Sequence, residues 1–461
     1  MRLLRQILVV WIVLASAVEA SSPVGSPEDG RGGITIYDRN PAHIWNRLHA
    51  VIFVRDDLSD TRRLADALDP PLWSNSSYLL AKPSHERVLR VLDEFLRTHG
   101  ERLIQDPVKR LMLGHDLWTV FDWSAAREPA RLGEPAYERE KQELQSRLAE
   151  VMRRVALSPG EIHALPSNYQ QAVASGQFAK EYDPAHRERA FLPPDLFDPN
   201  GPWVKISSDP GPDPAAFEHA NTFSRSSFLI FMRLPGGRNA TFDYLRTLWD
   251  FPEPWVPRSD GKDVQDQTVE NSHLPQFPAG TEVALVRQMM SFDNRGDVEG
   301  TPITESIQIR VYRAVPTNAD EVPATSEEIG KSGQDYYQSR LYRRALFASR
   351  MGGLRAAEAN EKEFPILWAF GADEGSPSQH VTLEQMQPVL QTCVWCHRGM
   401  GLNSLNSRSR LIRPKWLVHD PGPVADPSDK TKWWEDDQSV YWKQHRYDWG
   451  LLSGYWKAEV R

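Results

Sequence analysis

Cysteine is nearly absent from this chain, with 2 in 461 residues. That excludes a scaffold stapled by several disulfides, and an iron–sulfur or zinc centre built from four thiolates. A basic excess is missing too. Lys and Arg number 54 against 62 Asp and Glu, a net charge of -8, so the footprint of a nucleic-acid binder is lacking. After the first 20 residues no stretch approaches the ~18 apolar residues of a membrane span. No G-x-S-x-G elbow, P-loop, strand-borne G-x-G-x-x-G or H-E-x-x-H occurs. What is present is the composition of a folded protein, 40% hydrophobic and 25% charged, long enough for two or three domains. Tryptophan is abundant, at 16.

The N-terminus addresses the chain. Arg2 and Arg5 precede an apolar run from Ile7 to Leu14, and small residues follow. Val18 and Ala20 suit the −3 and −1 positions of a signal-peptidase site, so residues 1–20 read as a signal peptide cleaved after Ala20. The expected location is periplasmic or extracellular, with no membrane span left after cleavage. No cysteine follows the apolar run, so no lipid anchor is indicated.

Beyond a Ser/Pro/Gly-rich leader at 21–34, residues 35–190 carry helical periodicity and read as a helical domain. Ser84 reads as the cap of a helix with the stripe Val88, Leu89, Val91, Leu92, Phe95 and Leu96. Asp106-Pro107 opens a second helix with Leu111, Met112, Leu117 and Phe121 along one side, and Ser158-Pro159-Gly160-Glu161 is a capping box. His115, Asp116 and His163 read as helix-surface residues. Residues 191–375 form a mixed α/β region that starts with a proline-rich stretch. Phe228–Met232 is a strand, and 281–314 reads as a β-hairpin with a long polar loop. Residues 376–461 are a C-terminal helical module, and the fold class is α+β.

The chemistry lies in that last module, where the only two cysteines stand three apart in Cys393-Val394-Trp395-Cys396-His397. C-x-x-C-H is the attachment sequence of haem c. One turn brings both thiols to the same edge of a porphyrin, where they add to its two vinyl groups, and the adjacent imidazole supplies an axial iron ligand. Export agrees, because this attachment happens outside the cytoplasm. Thr382 and Gln385 read as a capping box for a helix leading into the motif through Leu383, Met386, Val389 and Leu390. Residues 416–456 hold six of the tryptophans, either as a wall around the haem or as an ordinary packed aromatic edge.

From Thr392 to Gly401 the chain resembles the c-type cytochromes, through this motif alone. The resemblance implies one covalent haem c on Cys393 and Cys396, with His397 as proximal ligand. It also implies electron transfer to a redox partner protein. The family's usual methionine ligand lies some sixty residues after the motif, whereas here the only later Met is Met400, on the same turn as His397. His419 is the first candidate for the sixth ligand and His445 the second, with His380 and Met386 upstream. An open five-coordinate iron, as in a haem enzyme acting on a small ligand such as peroxide, is an alternative, so whether the chain is an enzyme stays open. The other alternative is a non-haem exported binding or structural protein whose C-x-x-C is a dithiol, disulfide or metal ligand.

Overall fold

The computed structural model describes residues 34–54, 66–68, 79–125, 137–206, 216–257, 268–315, 333–358, 361–363, 387–390, 397, 401–405 and 437–458. These carry helices α1 (Ile44–Phe53), α2 (Ser84–Arg97), α3 (Pro107–Ala125), α4 (Glu138–Val155), α5 (Pro159–His163), α6 (Asn168–Ala174), α7 (Phe217–Thr222), α8 (Gly237–Trp249), α9 (Arg343–Phe347), α10 (Asp437–Gln444) and α11 (Tyr447–Ala458). The strands are β1 (Val204–Ile206), β2 (Ser226–Arg233), β3 (Trp255–Pro257), β4 (Thr268–Glu270), β5 (Thr281–Phe292), β6 (Val298–Tyr312), β7 (Gln334–Leu341), β8 (Leu354–Ala356), β9 (Lys362–Glu363) and β10 (Gln387–Pro388). The fold is α+β.

Six strands form one antiparallel sheet in the order β1-β2-β5-β6-β7-β8. Side chains alternate between its faces, and both faces are buried. Leu229, Phe231, Val286, Ile307 and Ile309 enter one core with Tyr169 and Ala172 of α6. Phe228, Ile230, Met232, Val283 and Tyr312 enter another with Leu245 and Leu248 of α8 and Leu402 and Leu405. The strands therefore read as nearly continuous apolar runs in β2 and β5, because neither side faces water.

A third core joins α1 to α4 with α11 and with the strand-end residues Met290, Phe292 and Val298. α2 buries Val88, Val91, Leu92 and Phe95 of the stripe expected of it and half-buries Leu89 and Leu96, and Pro83 rather than Ser84 takes the cap position. The capping box at Ser158 forms with both of its hydrogen bonds.

Three expectations change. α3 is buried on every side from Leu111 to Ala125 rather than along one stripe, because sheet and helices enclose it. The hairpin loop is short. β5 and β6 continue to Phe292 and from Val298, and the polar residues between the apolar runs are strand, interrupted by register shifts near Gln288. Finally, Gln387 and Pro388 pair with Glu363 and Lys362, so a helix starting at Thr382 does not run through them. Tertiary pairing overrides the helical periodicity there.

Candidate functional site

The site is built on the sheet face that looks toward α7. Phe228 of β2 lies opposite Arg287 of β5, and Arg310 of β6 lies opposite Tyr336 of β7. Two residues beyond Arg310, Tyr312 projects from the same face by strand alternation. A short turn, Gly401–Ser404, packs above these side chains. Gly401 has φ +51, and a Cβ there would overlap the Gln276 side chain, whose Oε1 accepts the Leu402 N–H at 2.7 Å. A glycine lets the turn approach this closely.

Ser404 is the hub. Its hydroxyl pairs with the Tyr312 hydroxyl at 2.5 Å and donates to the Gly401 carbonyl at 2.8 Å. Its carbonyl accepts from Arg310 Nη1 at 2.8 Å and from His397 Nδ1 at 2.8 Å. Because a carbonyl can only accept, Nδ1 is the protonated nitrogen of His397, and Nε2 carries the lone pair of the neutral ring. The Tyr336 hydroxyl holds the other end of the residue, donating to the His397 carbonyl at 3.1 Å.

His219, on α7, completes the arrangement. Its ring lies 5.4 Å from Phe228, and 6.1 Å from the His397 ring with the planes 11° apart. Both imidazoles stay neutral. Withdrawal from water, then Arg310 and His219, hold His397 well below its ordinary range, with the Ser404 hydrogen bond opposing. Withdrawal from water, then Arg310 and Arg287, lower His219 to about 4. The Arg287 guanidinium lies 3.7 Å over the Phe223 ring, at the end of α7.

Of the residues singled out from sequence, His397 sits in this site. Cys393, Cys396, Met400, His419, His380 and Met386 lie outside the described residues, as do the signal peptide and the start of the helix expected from Thr382. His445 is exposed, its Nδ1 2.7 Å from the Tyr441 carbonyl and its ring 4.0 Å from the Tyr441 ring. Trp449 and Trp456 belong to the helical core, 5.5 Å from Trp118 and 5.5 Å from Phe292 respectively. Trp442 lies 6.0 Å from Phe217, beside α7.

His115 and Asp116 are not surface residues, as expected from sequence, but buried ones facing charged partners. His115 Nε2 is 3.2 Å from Glu305 Oε1. Asp116 accepts from the Tyr37 hydroxyl at 3.0 Å, lies 3.3 Å from His49 Nδ1, and pairs with Arg343. His163 is half-buried, with Nε2 3.3 Å from Glu299. The His115 and His163 pairs tie helices to β6, whereas Asp116 joins α3 to α1 and α9.

Sequence reasoning missed His219, Ser404, Arg310 and Tyr336. No local pattern marks them, because sheet register and the α7 packing bring them together. Among the described residues no group of three or more His, Cys, Asp or Glu is placed to hold a metal ion, and no helix is long and apolar enough to cross a membrane. No family model, curated protein or solved structure matches the chain.

Proposed function

We propose that this chain is an exported, single-haem, c-type cytochrome-like protein that transfers electrons to and from a redox partner protein. Cys393 and Cys396 hold the haem through thioethers, and His397 is an axial ligand. The observation that carries the reading is the orientation of His397 within C-x-x-C-H. Its Nδ1–H is committed to the Ser404 carbonyl at 2.8 Å, which leaves Nε2 as the donor. Metal-bound histidines are commonly oriented by such a hydrogen bond from the other ring nitrogen. The donor set fits haem, since an imidazole directly following two thiols suits an iron whose equatorial positions a macrocycle fills.

Bound haem supplies a one-electron ferric/ferrous couple. The protein's part is to fix and tune it. Ser404, anchored by Arg310 and Tyr312, sets the ring orientation of His397. Tyr336 pins the backbone carbonyl of the same residue.

The test is haem-specific staining after denaturing electrophoresis of the full chain, expressed in a host competent for cytochrome c maturation. The stain is expected in the wild type and lost in the Cys393→Ala/Cys396→Ala double variant. A wild-type chain with no stain, no Soret absorption and a reducible Cys393–Cys396 bridge would sink the proposal and establish the dithiol. N-terminal sequencing of the same material is expected to begin at Ser21.

A further inference from the structure

We propose that His219 is the second axial ligand of the iron held by His397, so that the haem is closed on both faces by histidine. This rests on the haem reading above and goes beyond it, by naming a ligand that sequence reasoning placed at His419 or His445.

The spacing is the first argument. An imidazole nitrogen sits about 2.0 Å from a bound transition metal and about 1.2 Å from its own ring centroid, so two imidazoles on opposite sides of one iron have centroids about 6.4 Å apart. The His219 and His397 centroids are 6.1 Å apart. The ring planes are 11° from parallel, an orientation that two ligands of one iron can share. Two aromatic rings in plain packing contact also fall in this range, so spacing alone does not decide.

The surroundings do more. Two imidazoles have been brought together beside the Arg310 and Arg287 guanidiniums. An orienting hydrogen bond from the other ring nitrogen is what distinguishes a metal-bound histidine from a merely packed ring. His397 is further committed through Nδ1 as a ligand would be. No hydrogen bond engages either ring nitrogen of His219 among the described residues; the Phe228 and His397 rings lie beside it.

The mounting is firm as well. α7 packs against β2 through Ala220, which is fully buried, and Phe223 closes the helix beneath Arg287. His219 is thereby presented from a packed element that does not contain the attachment motif. The consequence is a six-coordinate iron without a free face, which favours electron transfer over capture of a small ligand.

The experiment compares full-length wild type, His219→Ala, His219→Met and His419→Ala, all matured with haem and checked by haem stain. The wild type is expected to be low-spin in the ferric state, with a ferrous spectrum unmoved by carbon monoxide. His219→Ala is expected to keep its stain, turn high-spin, bind carbon monoxide, and return to low spin when imidazole is added. His219→Met keeps a bulky side chain in place should the alanine variant fail to fold, and its midpoint potential is expected to rise, as thioether ligation raises it. A stained His219→Ala protein that stays low-spin overturns the assignment, as does a wild type that binds carbon monoxide. So does a switch to high spin in His419→Ala. Absence of stain in the wild type refutes the haem reading itself, so the two failures are told apart.

Discussion

Lys443, in the last turn of α10, places its ammonium 2.6 Å from Oδ2 of Asp122 in α3, with both side chains buried. The same ammonium pairs with Asp448 of α11 and lies 3.3 Å from the Ser224 hydroxyl. Arg225, just before β2, reaches Asp122 at 3.0 Å. One lysine therefore fastens the C-terminal helices to the central helix. Replacing it with methionine leaves two buried carboxylates with too little positive charge. Lys443→Met is expected to cost about 3–5 kcal/mol, the range for breaking one partner out of a buried ion pair. Urea denaturation measures this, and a loss below about 1 kcal/mol would show that water reaches the cluster.

Glycine conformation gives a second expectation, with its control built in. Gly352 has φ +58, and a Cβ there would overlap the Asn168 backbone carbonyl, where α6 meets the turn before β8. Gly237, φ +77, has open space around it. Gly237→Ala should therefore cost only the strain of a left-handed residue, about 1–2 kcal/mol. Gly352→Ala adds a backbone clash that no side-chain rotation relieves, and is expected to lose clearly more. Equal melting temperatures for the two variants would refute the packing described here.

Legibility in the sequence followed the range of the interactions. The α2 stripe, the Ser158 capping box and the β2 and β6 strands were readable because each depends on neighbours within a few residues. The α3 helix misled. Its apolar residues suggested one buried stripe, but its polar residues are buried as well, paired with Arg343, Glu305 and Lys443 from distant segments. The hairpin loop was read too long because Thr301, Thr304 and Glu305 look like loop residues, although each is buried in β6. At the candidate site only His397 carried a local signal. His219 is an isolated histidine in a short helix, and its partner is set by the sheet.

The capping box at α5 should show itself in pH dependence. Glu161 accepts from the Ser158 backbone N–H at 2.8 Å and from the Ser158 hydroxyl at 2.7 Å. The backbone hydrogen bond first, then the hydroxyl, holds its carboxyl below the ordinary value of 4.5. A carboxylate with a depressed folded-state pKa stabilises fully above its unfolded pKa, and the contribution is lost as pH falls through the folded value. Ser158→Ala is expected to cost about 1 kcal/mol at neutral pH. As the pH falls below 4.5 and through the depressed value of Glu161, the gap from the wild type should narrow, since the protonated Glu161 no longer gains from the hydroxyl. Denaturation curves at neutral and at acid pH check it, and a gap that widens in acid would contradict the role given to Glu161.

Arg310 supplies a test of how the protein tunes its site. Its Nη1 donates to the Ser404 carbonyl that orients His397, so a fixed positive charge stands beside the ring pair. On the haem reading, ferric iron carries one more positive charge than ferrous iron, and a neighbouring guanidinium disfavours the oxidised state. Removing that charge should lower the midpoint potential. A partly screened interaction of about 1–2 kcal/mol corresponds to roughly 40–90 mV for one electron. Arg310→Gln, which retains a donor for Ser404, is therefore expected to shift the potential down by that order, with haem content unchanged. Arg310→Lys, which keeps the charge, should stay close to the wild type. Potentiometric titration of the three proteins tests the charge: equal falls in both variants would show that the positive charge is not what tunes the potential. A potential unmoved in Arg310→Gln would remove Arg310 from the tuning of the iron.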